Sequence, residues 1–270
     1  MSCLYWKKMI NTNNYAESYA AFLKKKEMHY EKYNAIINGE DGDDSFKSLV
    51  DDGFVLVKDF IKENQLLKIN NELKSKVIHL YECNENEHRV KYVNREFGVA
   101  RLMHADTLSS AANKLFFNNE FINSLAKKIV SEKVISYQRM IEYRTGPGLV
   151  SGADNWHFDD WKHRFKAFLY LTDVDELSCP FVCIKGTHKY VSEEWRLRKE
   201  FEYDFYGKNG SYGYFQQHEI DNLSKRYKWK PQVFTAKAGT LIMVDTRILH
   251  KGTPSKGKER FLLANYFDVR

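Results

Sequence analysis

The stretch A-G-T-L-I-M-V-D-T-R-I-L-H-K-G-T-P-S-K-G-K-E-R-F-L-L-A-N-Y-F (238–267) holds two apolar runs parted by a polar turn. Residues 240–245 and 260–267 are aliphatic and aromatic, and Gly252, Thr253 and Pro254 interrupt them, which reads as strand, turn, strand. Working outward, similar short runs occupy 134–143, 165–171, 181–184 and 232–236. Turns such as T-G-P-G (145–148) and K-A-G-T (237–240) separate them. This succession predicts a mainly β chain with flanking helices. The expected core is a double-stranded β-helix, a cupin-like jelly roll, with the helices packed on one sheet.

The first run ends in His250, and the second opens with Arg260 ten positions later. A second motif lies upstream in N-W-H-F-D-D (155–160). On a strand, the period of two turns His157 and Asp159 to one face, with Phe158 and Asp160 turned away. Two imidazoles and one carboxylate on one face of an octahedron are the ligand set of a non-haem Fe(II) oxygenase, because they leave positions open for co-substrate and O2. Arg260 taken alone reads as a surface strand residue in an ion pair; following His250, its planar guanidinium is expected to hold the far carboxylate of a dicarboxylic keto acid such as 2-oxoglutarate. Two other readings use the same residues. One is a non-catalytic jelly-roll binding protein; the other is a zinc hydrolase or isomerase holding its ion with His157, Asp159 and His250. The zinc enzyme has no need for Arg260.

Residues 12–37 read as an amphipathic helix that covers the barrel, with K-K-K (24–26) on its solvated side. A strand is expected at 54–58, and helices at 64–80 and 110–130. The stretch 191–230 breaks the strand rhythm; it is long, charged and aromatic, and is expected to be a partly helical insertion acting as a lid over the site. The 270 residues suffice for one sizeable core. Residues 1–45 are expected to form an N-terminal helical extension to a catalytic domain at 46–270. The 18 Phe and 17 Tyr suit a β-rich interior. No run is long enough to span a bilayer and no signal-peptide core opens the chain, so a cytoplasmic protein is expected. Cys3, Cys83, Cys179 and Cys183 read as reduced thiols, and Cys179-x3-Cys183 lacks the second ligand pair of a zinc site. The net charge of +6 is dispersed. K-R-Y-K-W-K (225–230) is one isolated basic patch, so no nucleic-acid partner is expected.

Four segments, in order, resemble the phytanoyl-CoA dioxygenase family of Fe(II)/2-oxoglutarate-dependent oxygenases. They are D-D-G-F-V-L-V-K-D-F-I (51–61), W-H-F-D (156–159), F-L-Y-L-T-D-V (168–174) with C-P-F-V-C-I-K-G-T-H-K (179–189), and A-G-T-L-I-M-V-D…H…R (238–260). The likeness spans 46–270. Ser178-Cys179-Pro180 and Lys185 depart from the family's usual loop, which bears on substrate rather than on chemistry. The resemblance implies Fe(II) on His157, Asp159 and His250, with Arg260 anchoring 2-oxoglutarate and O2 as the second co-substrate. It implies abstraction of a substrate hydrogen with release of succinate and CO2, leading to hydroxylation, ring closure or desaturation. Related halogenases have a small residue where Asp159 stands, so halogenation is not expected. The strand at 134–143 lines the co-substrate pocket in the family, which makes Gln138 and Tyr143 candidate co-substrate contacts, a packed core tyrosine being the alternative for Tyr143. Arg144, with Arg139, offers a positive rim for a carboxylate-bearing substrate. His163 and Trp156 are candidate substrate contacts by proximity, with simple packing as the alternative. The expected substrate is a small organic metabolite of specialised metabolism.

Overall fold

The computed structural model describes residues 12–38, 42–83, 90–145, 152–206 and 213–269. The chain opens with helix α1 (Thr12–Asn38), helix α2 (Asp44–Asp52), strand β1 (Phe54–Val57) and helix α3 (Glu63–Cys83). The hairpin β2 (Val90–Asn94) and β3 (Val99–Met103) follows, then short helices α4 (Ala105–Leu108) and α5 (Ser110–Ala112), a π-helical turn at Asn113–Phe117 and helix α6 (Glu120–Ile129). Next come β4 (Ile135–Arg144), β5 (Trp156–His157), β6 (Phe165–Tyr170) and β7 (Phe181–Ile184). Helix α7 (Glu194–Tyr206), strand β8 (Tyr214–Phe215) and helix α8 (Gln217–Tyr227) occupy 191–230. The chain closes with β9 (Pro231–Phe234), β10 (Leu241–Asp245), β11 (His250–Lys251) and β12 (Arg260–Asp268).

Two sheets form the jelly roll. The larger has the order β1-β10-β6-β12-β4-β3-β2, and the smaller β8-β5-β11-β7-β9. Every strand pairing among the described residues is antiparallel. Strand alternation divides the interior in two. Leu241, Met243, Phe165, Ala167, Leu169, Phe261, Leu263, Ile141 and Tyr143 face the helices, where Leu49, Ile69, Leu73, Phe116 and Ile122 meet them in the main core. Ile242, Val244, Tyr170, Leu262, Ala264 and Met140 face inward and pack on Phe181, Cys183 and Phe234 of the smaller sheet. The large sheet is therefore buried on both faces, which explains the continuous apolar runs of its central strands.

The strands expected at 134–143, 165–171, 181–184, 232–236, 240–245 and 260–267 are all present within a residue or two of those bounds. The helix expected over 110–130 is broken. Its first half winds as a π-helical turn, and Asn119 starts a new helix by accepting from the Phe121 and Ile122 amides. Most of the turn at 145–148, the N-terminal patch 1–11 and residues 207–212 of the expected insertion lie outside the described residues. Helix α1 packs on α7, with Phe22 against Trp161 and Phe201, while buried Lys26 pairs with buried Glu200. No helix among the described residues is long and apolar enough to cross a membrane.

Candidate metal centre and co-substrate cavity

His157 and His250 are direct cross-strand partners in the β5–β11 pair. Facing residues of an antiparallel pair project to the same side, and their rings stand 4.4 Å apart. Asp159 is not on the strand. The chain leaves β5 after His157 and crosses toward β6, and the Asp159 amide donates to the Thr246 carbonyl at 3.1 Å. Thr246 belongs to the neighbouring crossing from β10 to β11, which runs the opposite way, and its own amide donates to the Arg164 carbonyl. The two crossings thus clip together and swing the Asp159 carboxylate under both imidazoles. Its Oδ1 lies 3.8 Å from His157 Nε2 and 3.7 Å from His250 Nε2. One ligand atom from each of the three residues falls within 4.8 Å of the others.

The donor set is in the state a divalent ion needs. His157 Nδ1 donates to the Asn155 carbonyl at 2.7 Å, and His250 Nδ1 to the Ile248 carbonyl at 2.8 Å. A carbonyl can only accept, so the proton sits on Nδ1 and each Nε2 presents a lone pair to the centre. Burial pushes both histidine pKa values down, His250 to about 3 with His157 adding to the effect, so both rings are neutral at neutral pH. Burial alone would raise the Asp159 pKa. Lys166, whose Nζ is 2.5 Å from Oδ2, outweighs it and keeps the carboxylate ionised.

The support of His250 explains the Gly-Thr-His element at 186–188. Thr187 Oγ1 accepts from the Leu249 amide at 2.8 Å and donates to the Ile184 carbonyl at 2.8 Å. Buried Arg196 of α7 donates to the carbonyls of Thr187 and Arg247, at 2.7 and 2.8 Å. Two loops and a helix therefore fix the backbone that delivers His250.

Two cavities meet at these three candidate ligands, and His157, Lys166 and Tyr266 border both. The inner one, about 80 Å³, contains Arg260, Glu142, Arg101 and Arg144. Arg260 is buried; it donates to Glu142 and to the Cys179 carbonyl, while its Nε is buried without a partner. Glu142 also accepts from Arg101 at 2.6 Å. Burial by itself would raise the Glu142 pKa, but Arg101, Arg260 and Arg144 hold it at about 2. The outer cavity, about 280 Å³, is walled by Tyr137, Tyr203, Tyr214 and Tyr266, with Tyr203 and Tyr214 contributed by 191–230. A wider groove of about 830 Å³ lies elsewhere, where Asp173 pairs with Lys237 and Asp175 with Lys258, and it has none of the three ligands.

The remaining expected site residues are dispersed. Tyr143 takes the packed-core alternative: its place in β4 turns it to the helices, where it stacks on Phe261 at 4.5 Å and its hydroxyl reaches Glu259. Gln138 lies near the start of β4, opposite Tyr266, and lines neither cavity. Trp156 alternates with His157 and so points away from the ligands into a satellite core with Phe215 and Leu249, its Nε1 donating to Gln217. His163 is buried against His29, 2.7 Å between Nδ1 and Nε2, away from the ligands. Arg144 borders the inner cavity, but Asp154 holds it in a bidentate pair at 2.8 and 2.9 Å. Arg139 is likewise taken by Asp106. Lys166 and Glu142 went unread in the sequence. Each stands as a lone charge between apolar neighbours in a buried strand, which was the available signal.

The family model described as Phytanoyl-CoA dioxygenase (PhyH) matches residues 49–261. Among solved structures, the chain is similar to HygX from Streptomyces hygroscopicus with nickel and 2-oxoglutarate bound, at 14% identity over 84% of this chain and 86% of that one, with a TM-score of 0.57. It is similar to the epimerase SnoN in complex with Fe3+, alpha ketoglutarate and nogalamycin RO, at 12% identity over 83% and 81%, TM-score 0.57. It is also similar to AviO1 from Streptomyces viridochromogenes Tue57, at 11% identity over 83% and 93%, TM-score 0.53. No curated protein matches the sequence.

Proposed function

The chain belongs to the phytanoyl-CoA dioxygenase family and is a non-haem Fe(II)/2-oxoglutarate-dependent dioxygenase, and on that premise we propose that His157, Asp159 and His250 hold the iron while Arg260 anchors the co-substrate. The observation that carries this is the convergence of two bare Nε2 atoms and one ionised carboxylate beside a cavity in which a buried guanidinium keeps an unpartnered N–H. Bound there, iron, 2-oxoglutarate and O2 supply oxidative decarboxylation to succinate and CO2 and abstraction of a substrate hydrogen. The chain's own residues do the rest. The backbone carbonyls of Asn155 and Ile248 keep both imidazoles in the binding tautomer, and Glu142 with the Cys179 carbonyl aims Arg260.

The outer cavity receives the substrate in this reading. Among its described lining residues there is no Leu, Ile, Val or Met, which disfavours a long acyl chain. Its walls are four tyrosines, and its cations Arg164 and Lys166 are paired with Asp160, Asp268 and Asp159. With Arg139 and Arg144 also paired, the positive rim that a carboxylate-bearing substrate would need is not free. A compact, ring-bearing metabolite with hydrogen-bonding groups fits best. SnoN and HygX, whose structures hold nogalamycin RO and hygromycin B, support a place in specialised metabolism. The same proposal takes 46–270 as the catalytic domain, 191–230 as its inserted outer wall and 1–45 as a helical extension. Buried free Cys179 and Cys183 suit a reducing, cytoplasmic location.

Anaerobic titration of the metal-free protein with Fe(II) and 2-oxoglutarate tests the reading through the visible charge-transfer band of the chelate. Wild type is expected to give the band, His157→Ala to lose it, and Arg260→Ala to need at least about tenfold more 2-oxoglutarate. A wild type without the band sinks the proposal.

A further inference from the structure

Lys166 projects from β6 into the interior, opposite Tyr266 of β12. Its Nζ lies 2.5 Å from Asp159 Oδ2 and 4.4 Å from the centre of the Tyr266 ring. The two oxygens of Asp159 therefore have different surroundings. Oδ1 faces both imidazoles, at 3.8 and 3.7 Å, while Oδ2 is taken by the ammonium. Only 14% of the Lys166 side chain is exposed; such burial is tolerated for an ammonium that has an ionised partner.

A carboxylate can grip a metal with one oxygen or with both. A second oxygen on the metal would cover a position that co-substrate or O2 requires. We propose that Lys166 is a positioning residue that keeps Asp159 a one-oxygen ligand by holding Oδ2 in an ion pair, so that the remaining positions stay open. The inference rests on the dioxygenase reading above and adds a residue outside the ligand set. It also implies that removing Lys166 harms co-substrate binding more than metal binding, because an unrestrained carboxylate still holds the ion.

The test uses the full-length protein loaded anaerobically with Co(II), whose ligand-field absorption reports coordination number, followed by titration with 2-oxoglutarate. Lys166→Met is expected to keep Co(II) affinity within about threefold of wild type, to bind 2-oxoglutarate at least about tenfold more weakly, and to change the absorption. Lys166→Arg, which keeps the cation, is expected to restore wild-type spectrum and affinity to within about threefold. A folded Lys166→Met with wild-type spectrum and 2-oxoglutarate affinity overturns the proposal. So does equal impairment of the Met and Arg variants, which would make Lys166 a packing residue. Should the Met variant not fold, Lys166→Gln against Lys166→Arg decides: the uncharged amide is expected to bind 2-oxoglutarate more weakly than the arginine, and equal values overturn the idea. A wild type that binds metal but no 2-oxoglutarate would instead refute the dioxygenase reading.

Discussion

Arg260 and Phe261 are neighbours in sequence, yet they face opposite sides of β12, and that single step separates chemistry from packing. Arg260 enters the inner cavity with Glu142, whereas Phe261 stacks on Tyr143 toward the helices. Tyr143→Phe is accordingly expected to leave KM for 2-oxoglutarate within about twofold and to cost no more than about 1 kcal/mol, the value of one partly exposed hydrogen bond. Arg260→Lys should raise that KM at least about tenfold, because an ammonium cannot present a planar fork. Steady-state kinetics with thermal melts on both variants check the contrast; similar effects from the two would remove the parity argument. The same parity explains what could be read beforehand. His157, Asp159, His250 and Arg260 stood out by their context, a short H-x-D motif followed by an apolar run ending in histidine and an arginine opening the next strand. Glu142 and Lys166 needed the strand pairings, since only those bring β4, β6 and β12 to one cavity.

At the level of elements, strands β4, β6, β10 and β12 were legible because each holds a run of apolar residues bounded by turns. Five elements were not. β8 is two residues long and exists by pairing with β5, so nothing in Tyr214-Phe215 alone announces it. β2 and β3 form an edge hairpin whose V-A-R-L-M half mixes classes of side chain. Helix α2 did carry signals, with Asp43 capping the Phe46 amide and Gly53 in the left-handed region at its end, but its nine residues are short for periodicity. Helix α7 was anticipated only as part of an irregular insertion, yet it bears the buried Arg196 that braces the β10–β11 crossing. Its guanidinium also pairs with Glu200 at 2.6 Å, and neither side chain is exposed. Arg196→Met is expected to destabilise the protein by at least about 2 kcal/mol, because it leaves two buried carbonyls without their donor and Glu200 to Lys26. Chemical denaturation measures it, and a loss below about 1 kcal/mol would show that α7 does not brace the crossing.

Over the whole molecule, α1 is tied to the roll by buried polar groups as well as by Phe22. His29 contacts His163, and Tyr30 receives a hydrogen bond from Arg247, which is locked on Asp245. Burial, with Arg247 adding its charge, pushes His29 and His188 to about 4 and His163 well below its ordinary value. Below about pH 6.5 the unfolded chain protonates these rings while the folded one does not, so the unfolded state binds more protons and stability falls with pH. Between pH 6.5 and 4.5, each of the buried pair His163 and His188 should remove up to about 1.4 kcal/mol per pH unit. Below about 4.5, protonation of carboxylates such as Glu142 adds to the loss. Melting temperatures of the metal-free protein from pH 7.5 to 5 are expected to be flat above pH 7 and to decline below 6.5; no decline would mean the histidines are not buried neutral.

The facing of His157 and His250 across one strand pair bears on how such a chain can change over generations. Both imidazoles answer to a single alignment, so a codon gained or lost between Asp245 and His250 would turn the second ring to the opposite face and end metal binding at a stroke. Residues 254–259 are under no such constraint, because His250 is set from upstream and Arg260 by its own pairing with Arg144. The ten-residue distance between His250 and Arg260 is a slack tether, free to lengthen or shorten while the chemistry at either end persists.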